Sequence, residues 1–193
     1  VKIITNILVM KRLFIAVKTV PGADLLRMIS SVKSLLGHES IKWVDPGNIH
    51  ITLAFLGDTE EKKIKLLTQI LNGTCAGFGR FEFSLTGTGV FKNFNDPRVI
   101  WVGISPKETL VNLSSKITDG LKSGGFAIED RGFRPHLTIG RVRTIKDNEN
   151  LKRVLETYRE TDFQKISASE VILYESILMQ TGPLYKELGK FPL

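Results

Sequence analysis

Two short strings concentrate the chemistry of this sequence, His50-Ile51-Thr52-Leu53 and His136-Leu137-Thr138-Ile139. The third histidine, His38, sits in the helix-end loop Gly37-His38-Glu39 with no such string behind it. Alternate side chains of a strand share a face, so His50 and Thr52 stand roughly 7 Å apart on one side. Ile51, Leu53 and Phe55 then face the other side, which must be the core. His136 and Thr138 stand in the same relation to Leu137 and Ile139.

Two imidazoles with two hydroxyls suit general acid–base chemistry at phosphorus. With an ordinary pKa of about 6.5, one neutral ring takes a proton from the attacking oxygen while the other, protonated, gives one to the leaving oxygen. The threonine hydroxyls donate to the non-bridging oxygens as charge builds on them. A metal would need carboxylate or cysteine partners, and Asp58, Glu129 and Asp130 stand at no ligand-like spacing. The expected chemistry therefore runs without a metal or other cofactor.

Four arginines surround the second string in Arg131-Gly-Phe-Arg134-Pro-His136-Leu-Thr-Ile-Gly-Arg141-Val-Arg143. Arg134 lies two residues before His136, where a planar guanidinium would hold phosphate through two hydrogen bonds and lower the pKa of both rings. Arg131 and Arg141 are further candidates for substrate contact, although strict alternation from His136 turns Arg141 to the opposite face. Phe14, Trp43, Phe94, Trp101 and Phe133 are candidates for stacking on a base, each reading first as core, and of these Phe14 and Trp43 are kept as substrate-binding candidates.

These groups need strands to aim them. Apolar periodicity predicts a strand at 12–18, a helix at 22–36 stopped by Gly37, and strands at 41–44 and 49–56. Asp58 with Glu61 reads as a capping box opening a helix to residue 71. Strands follow at 80–90 and 98–104. Ser105, Pro106 and Glu108 read as cap, first helical position and box partner of a helix ending near 124. A short strand at 126–129, a strand at 135–142, a helix at 147–159 and strands at 162–166, 169–179 and 184–191 complete the chain. Gly22 precedes His50 by 28 residues and Pro106 precedes His136 by 30, which points to an internal duplication with a cleft between its halves.

The chain has 193 residues, 42% of them hydrophobic, with 27 Lys+Arg against 20 Asp+Glu and a net charge of +7. That composition excludes a disordered or membrane-embedded body, and the positive excess suits a polyanion. The single cysteine, Cys75, leaves no intrachain disulfide and fits a reducing cytoplasm. Residues 1–9 are too short to span a bilayer and read as an extension before Met10.

At these residues the sequence resembles the two-histidine (2H) phosphoesterase superfamily, specifically the RNA 2′,3′-cyclic phosphodiesterases once called 2′-5′ RNA ligases. The likeness includes Arg12-Leu13-Phe14-Ile15-Ala16, Trp43-Val44, Asn48-Ile49-His50, Phe55-Leu56-Gly57, 97–103, Phe133-Arg134-Pro135-His136, Gly182-Pro183-Leu184-Tyr185 and Phe191-Pro192-Leu193. It implies one bilobal domain over 10–193 after the extension. The fold would be α+β, with two pseudo-symmetric lobes, each an antiparallel sheet with helices outside, and the active-site cleft between them. It further implies a monomeric cytoplasmic enzyme, with no membrane partner, opening the cyclic phosphate end of RNA such as tRNA halves to a 2′-phosphate. His50 would protonate O3′, His136 would activate water, and Thr52, Thr138 and Arg134 would hold the phosphate. Joining RNA through a 2′-5′ bond is the same chemistry with a ribose hydroxyl replacing water. An enzyme for small cyclic nucleotides and a non-catalytic RNA-binding module are the alternatives; the second is disfavoured because both strings are intact.

Overall fold

The structure, a computed structural model, describes residues 9–128, 132–180 and 182–193. The candidate Arg131 and all but Val9 of the extension read at 1–9 lie outside them. In chain order the elements are β1 Met10–Lys18, α1 Ala23–Leu35, β2 Ser40–Trp43, β3 His50–Glu60, α2 Ile64–Cys75, β4 Phe81–Asn93, β5 Asp96–Ser105, α3 Glu108–Ser123, β6 Leu137–Thr144, α4 Asn148–Glu156, β7 Asp162–Ala168, β8 Glu170–Met179 and β9 Gly182–Pro192.

The strands form two antiparallel sheets, one ordered β3-β1-β8-β9 and the other β2-β6-β5-β4-β7. Each is covered on one face by helices, so this is the expected two-lobed α+β fold. The halves of the chain are nevertheless interleaved. Helices α2 and α3 cover the four-stranded sheet, and α1 packs with α4 and β7 on the five-stranded one. Thus α1, which follows β1, crosses to the other sheet, and α3, which follows β5, crosses back. Strand β2 crosses as well and pairs with β6. The exchange puts one buried apolar core beneath both sheets, including Leu13, Ile15, Ile51, Ile100, Leu113, Leu137 and Leu173.

Two expected caps are displaced for one reason. Asp58 pairs with Arg12, and β3 continues to Glu60 opposite Met10, so ladder hydrogen bonds replace the capping box and α2 starts only at Ile64 after one 3-10 turn. Ser105 is likewise held in β5 opposite Ser84, and α3 starts at Glu108 with Lys107 as its cap residue. Gly22 does cap α1, and the Asp147 carboxylate accepts from Asn150 N at 2.8 Å to open α4. Residues 126–128 form no strand; Phe126 and Ala127 lie beside Asp58–Glu60, leaving β3 at the edge of its sheet, whereas its counterpart β6 is flanked by β2.

Candidate active site

The backbone locks both imidazoles in the same way. The Nδ1–H of His50 donates to the carbonyl of Asn48 at 2.7 Å, and the Nδ1–H of His136 donates to the carbonyl of Arg134, also at 2.7 Å. A carbonyl only accepts, so in each neutral ring the proton sits on Nδ1 and Nε2 is left with its lone pair. Each ring is thus prepared to take a proton at Nε2 and, once charged, to give one. Both His50 and His136 head their strings as expected, on β3 and at the entry to β6, with Thr52 and Thr138 half-buried two positions on.

Strict alternation fails two residues beyond the threonine in each string, because both strands carry a β-bulge at the same place. In β3, Thr52 pairs with Ala16 and Ala54 with Ile15, and Leu53 is the extra residue; in β6, Thr138 pairs with Trp101 and Gly140 with Ile100, and Ile139 is the extra one. A bulge places two successive side chains on one face and reverses the parity beyond it. Leu53 and Ala54 are both buried, as are Ile139 and Gly140. Phe55, expected in the core, is therefore 49% exposed on the histidine face with the Arg12 guanidinium over its ring at 5.1 Å. Arg141, expected on the opposite face, joins His136 and Thr138. The bulge carbonyls that leave the ladder find partners, Leu53 O from Ser114 Oγ at 2.7 Å and Ile139 O from Val44 N at 2.9 Å.

The electrostatics agree with this placement. Burial first, and the Arg141 guanidinium after it, hold the pKa of both His50 and His136 below the ordinary imidazole value; His136 itself lowers His50 further, and the carbonyl bonds act in the opposite sense. Arg141 rather than Arg134 is thus the cation that both rings feel. The same charge acts on Tyr185, whose hydroxyl burial raises above the ordinary phenol value.

An aromatic ring stands edge-on to each imidazole, Tyr185 to His50 at 5.2 Å and Phe91 to His136 at 4.8 Å. Each comes from the long hairpin of its lobe, β8–β9 or β4–β5. The residue two before each histidine ties that hairpin down, since Asn48 Nδ2 donates to Pro183 O at 3.0 Å and the Arg134 guanidinium lies 6.0 Å over Phe91. Gly89 leaves room for Trp101, whose ring would lie 2.4 Å from any added Cβ.

Two stacking candidates serve other ends. Phe14 is 3% exposed, stacks on Tyr174 at 5.1 Å and lies 4.8 Å from the His50 ring, so it supports the imidazole from the sheet. Trp43 pairs with Gly140 and faces the core side of β2, under Lys33 of α1. Among the described residues, no group of three His, Cys, Asp or Glu is placed to hold a metal ion.

The model of the LigT-like phosphoesterases matches this chain twice, over residues 17–101 and 102–185, one copy around each His-x-Thr string. The chain belongs to the LigT-like phosphoesterase family. It is 34% identical to the RNA 2′,3′-cyclic phosphodiesterase of Archaeoglobus fulgidus over 180 residues, covering 93% of this chain and 99% of that protein. The protein of the same description from Methanocaldococcus jannaschii is 35% identical with the same coverage. The crystal structure of E. coli LigT complexed with 3′-AMP shares the fold with a TM-score of 0.72, at 22% identity, over 96% of this chain and 99% of that one. TT0787 of Thermus thermophilus gives 0.74 at 23% identity, over 94% and 97%.

In this LigT-like phosphoesterase, sequence reasoning passed over Arg12, Phe55, Phe91, Tyr174 and Tyr185 as site residues. A signal existed for Phe55 and for the orientation of Arg141. Both strings continue past threonine with two apolar residues in succession, the second small, Leu53-Ala54 and Ile139-Gly140, a break in alternation that marks a bulge. Nothing local marks Phe91, Tyr174 or Tyr185, which reach the histidines through strands distant in sequence.

Proposed function

We propose that this chain hydrolyses the terminal 2′,3′-cyclic phosphate of RNA to a 2′-phosphate, with His50 and His136 as the proton-transfer pair. The observation that carries this is the duplicated lock, two imidazoles with Nδ1–H held by a carbonyl and Nε2 free, each two residues before a threonine on the same face. Relatives that match nearly their whole length bear the name of that reaction.

In the proposed step, His136 Nε2 takes a proton from water as its oxygen bonds to phosphorus. The P–O3′ bond breaks, and His50, protonated at Nε2, gives its proton to O3′. The hydroxyls of Thr52 and Thr138 and the guanidiniums of Arg134 and Arg141 receive the charge on the non-bridging oxygens. Because cation and burial both disfavour imidazolium in the free protein, the phosphate anion restores a proton to the pair on binding. A ribose hydroxyl in place of water would give the 2′-5′ joining reaction by the same route.

The test is incubation in EDTA with an RNA ending in 2′,3′-cyclic phosphate and with a free 2′,3′-cyclic nucleotide, followed by mapping of the product phosphate. Opening to a 2′-phosphate at an undiminished rate is expected. A 3′-phosphate product would remove His50 from O3′, and loss of activity restored by zinc or manganese would replace the two-histidine mechanism with metal chemistry.

A further inference from the structure

The two lobes differ beside their histidine strands. In the first, β3 is the sheet edge; in the second, β2 lies outside β6 and extends the sheet by one strand, from the half of the chain that carries His50. On that strand Lys42 stands directly across from Arg141. Its neighbours Ile41 and Trp43 point the other way, into the space a side chain at Gly140 would fill, so Lys42 shares the face of Arg141 and is exposed. Directly opposed side chains of an antiparallel pair have Cβ atoms roughly 5 Å apart, and like charges so placed destabilise a sheet.

The fold leaves this repulsion uncompensated. Several other surface cations have carboxylate partners, Lys11 with Glu61 and Glu175, Lys18 with Glu187, Lys92 and Arg98 with Asp96, and Lys165 with Glu82, whereas Lys42 faces another cation. Among the described residues no carboxylate lies within ion-pair distance of Lys42 or Arg141, and Arg143, the next exposed cation along β6, is equally unmatched. Lys42, one strand outward from the guanidinium that both imidazoles feel and repelled by it, is suited to an anion that the isolated protein does not contain.

On the reading that the cleft takes the cyclic-phosphate end of RNA, we infer that β2 is an RNA-tracking strand, in which Lys42 holds the backbone phosphate next to the one that reacts. Arg141 serves the reacting phosphate, and the chain leaves the cleft across β6 toward the open edge of the sheet. The ligand class is a single-stranded polynucleotide. A cyclic mononucleotide has no second phosphate and does not reach Lys42.

The experiment compares wild type with Lys42→Ala, Lys42→Glu and Lys42→Arg. KM is measured for 2′,3′-cyclic AMP and for a short RNA ending in cyclic phosphate, and Kd by fluorescence anisotropy for the same RNA ending in 2′-phosphate. Lys42→Glu should raise KM and Kd for RNA about tenfold, with Lys42→Ala between and Lys42→Arg close to wild type. The salt dependence of log Kd should become shallower by about 0.7, the value for one single-strand phosphate contact. Values for 2′,3′-cyclic AMP should stay within twofold, and the melting temperature of Lys42→Glu should not fall, because it relieves the repulsion with Arg141. RNA affinity unchanged in Lys42→Glu, or a mononucleotide KM raised as much as the RNA value, would overturn the inference. Wild-type inactivity on both substrates would overturn the hydrolase reading instead, while the binding series still decides the role of β2.

Discussion

The substitution that most directly probes the site is Arg141→Gln. Burial first and the Arg141 charge after it hold both imidazoles below their ordinary pKa. Removing that cation raises the pKa of each ring, so both limbs of the bell-shaped pH profile of kcat/KM should move upward. A lost charge-assisted hydrogen bond to phosphate costs about 1.5–3 kcal/mol, so kcat/KM at the optimum should fall by about one to two orders of magnitude. The combined effect is asymmetric, with the deficit largest on the acid side, where the raised base stays protonated, and smallest on the alkaline side. Arg141→Lys keeps the charge and should keep the limbs while losing most of the rate. Arg134→Gln should leave the limbs in place, since Arg134 is not among the charges acting on either ring. The assay is initial rate on a cyclic-phosphate RNA across about pH 5 to 9. Limbs unmoved in Arg141→Gln, or moved in Arg134→Gln instead, would refute the assignment of Arg141 as the shared cation.

His50→Ala and His136→Ala should each lower turnover by at least about a hundredfold with an unchanged circular dichroism spectrum, because each removes a proton-transfer partner; retention of more than a tenth of the wild-type rate in either would sink the paired mechanism. Ser114→Ala should cost about 1–3 kcal/mol by leaving the buried Leu53 carbonyl without a donor, and thermal melting would show a drop of about 2–4 °C for each of those kcal/mol. An unchanged melting temperature would mean that the β3 bulge does not depend on α3.

The proposed proton-transfer pair was legible in the sequence because its signal is local. Two His-x-Thr strings, each followed by an apolar strand face, place imidazole and hydroxyl together through the two-residue period of a strand alone. The helix starts near residues 22 and 147 were legible for the same reason, and Gly22 and Asp147 occupy the cap positions there. The caps read at Asp58 and Ser105 failed because those residues lie opposite Arg12 and Ser84, and a ladder hydrogen bond outweighs a local capping preference. Parity beyond the threonines also belonged to the fold. Whether Leu53 and Ile139 sit in the ladder or bulge from it depends on Ser114 and Val44 reaching their carbonyls, and that choice turned Phe55 outward and Arg141 inward. Tyr185 at His50, Phe91 at His136 and Lys42 beside Arg141 are products of long hairpins and of a strand exchanged between sheets. Such contacts are fixed by which surfaces bury together, and the sequence states those surfaces only as apolar stripes without saying which stripe meets which.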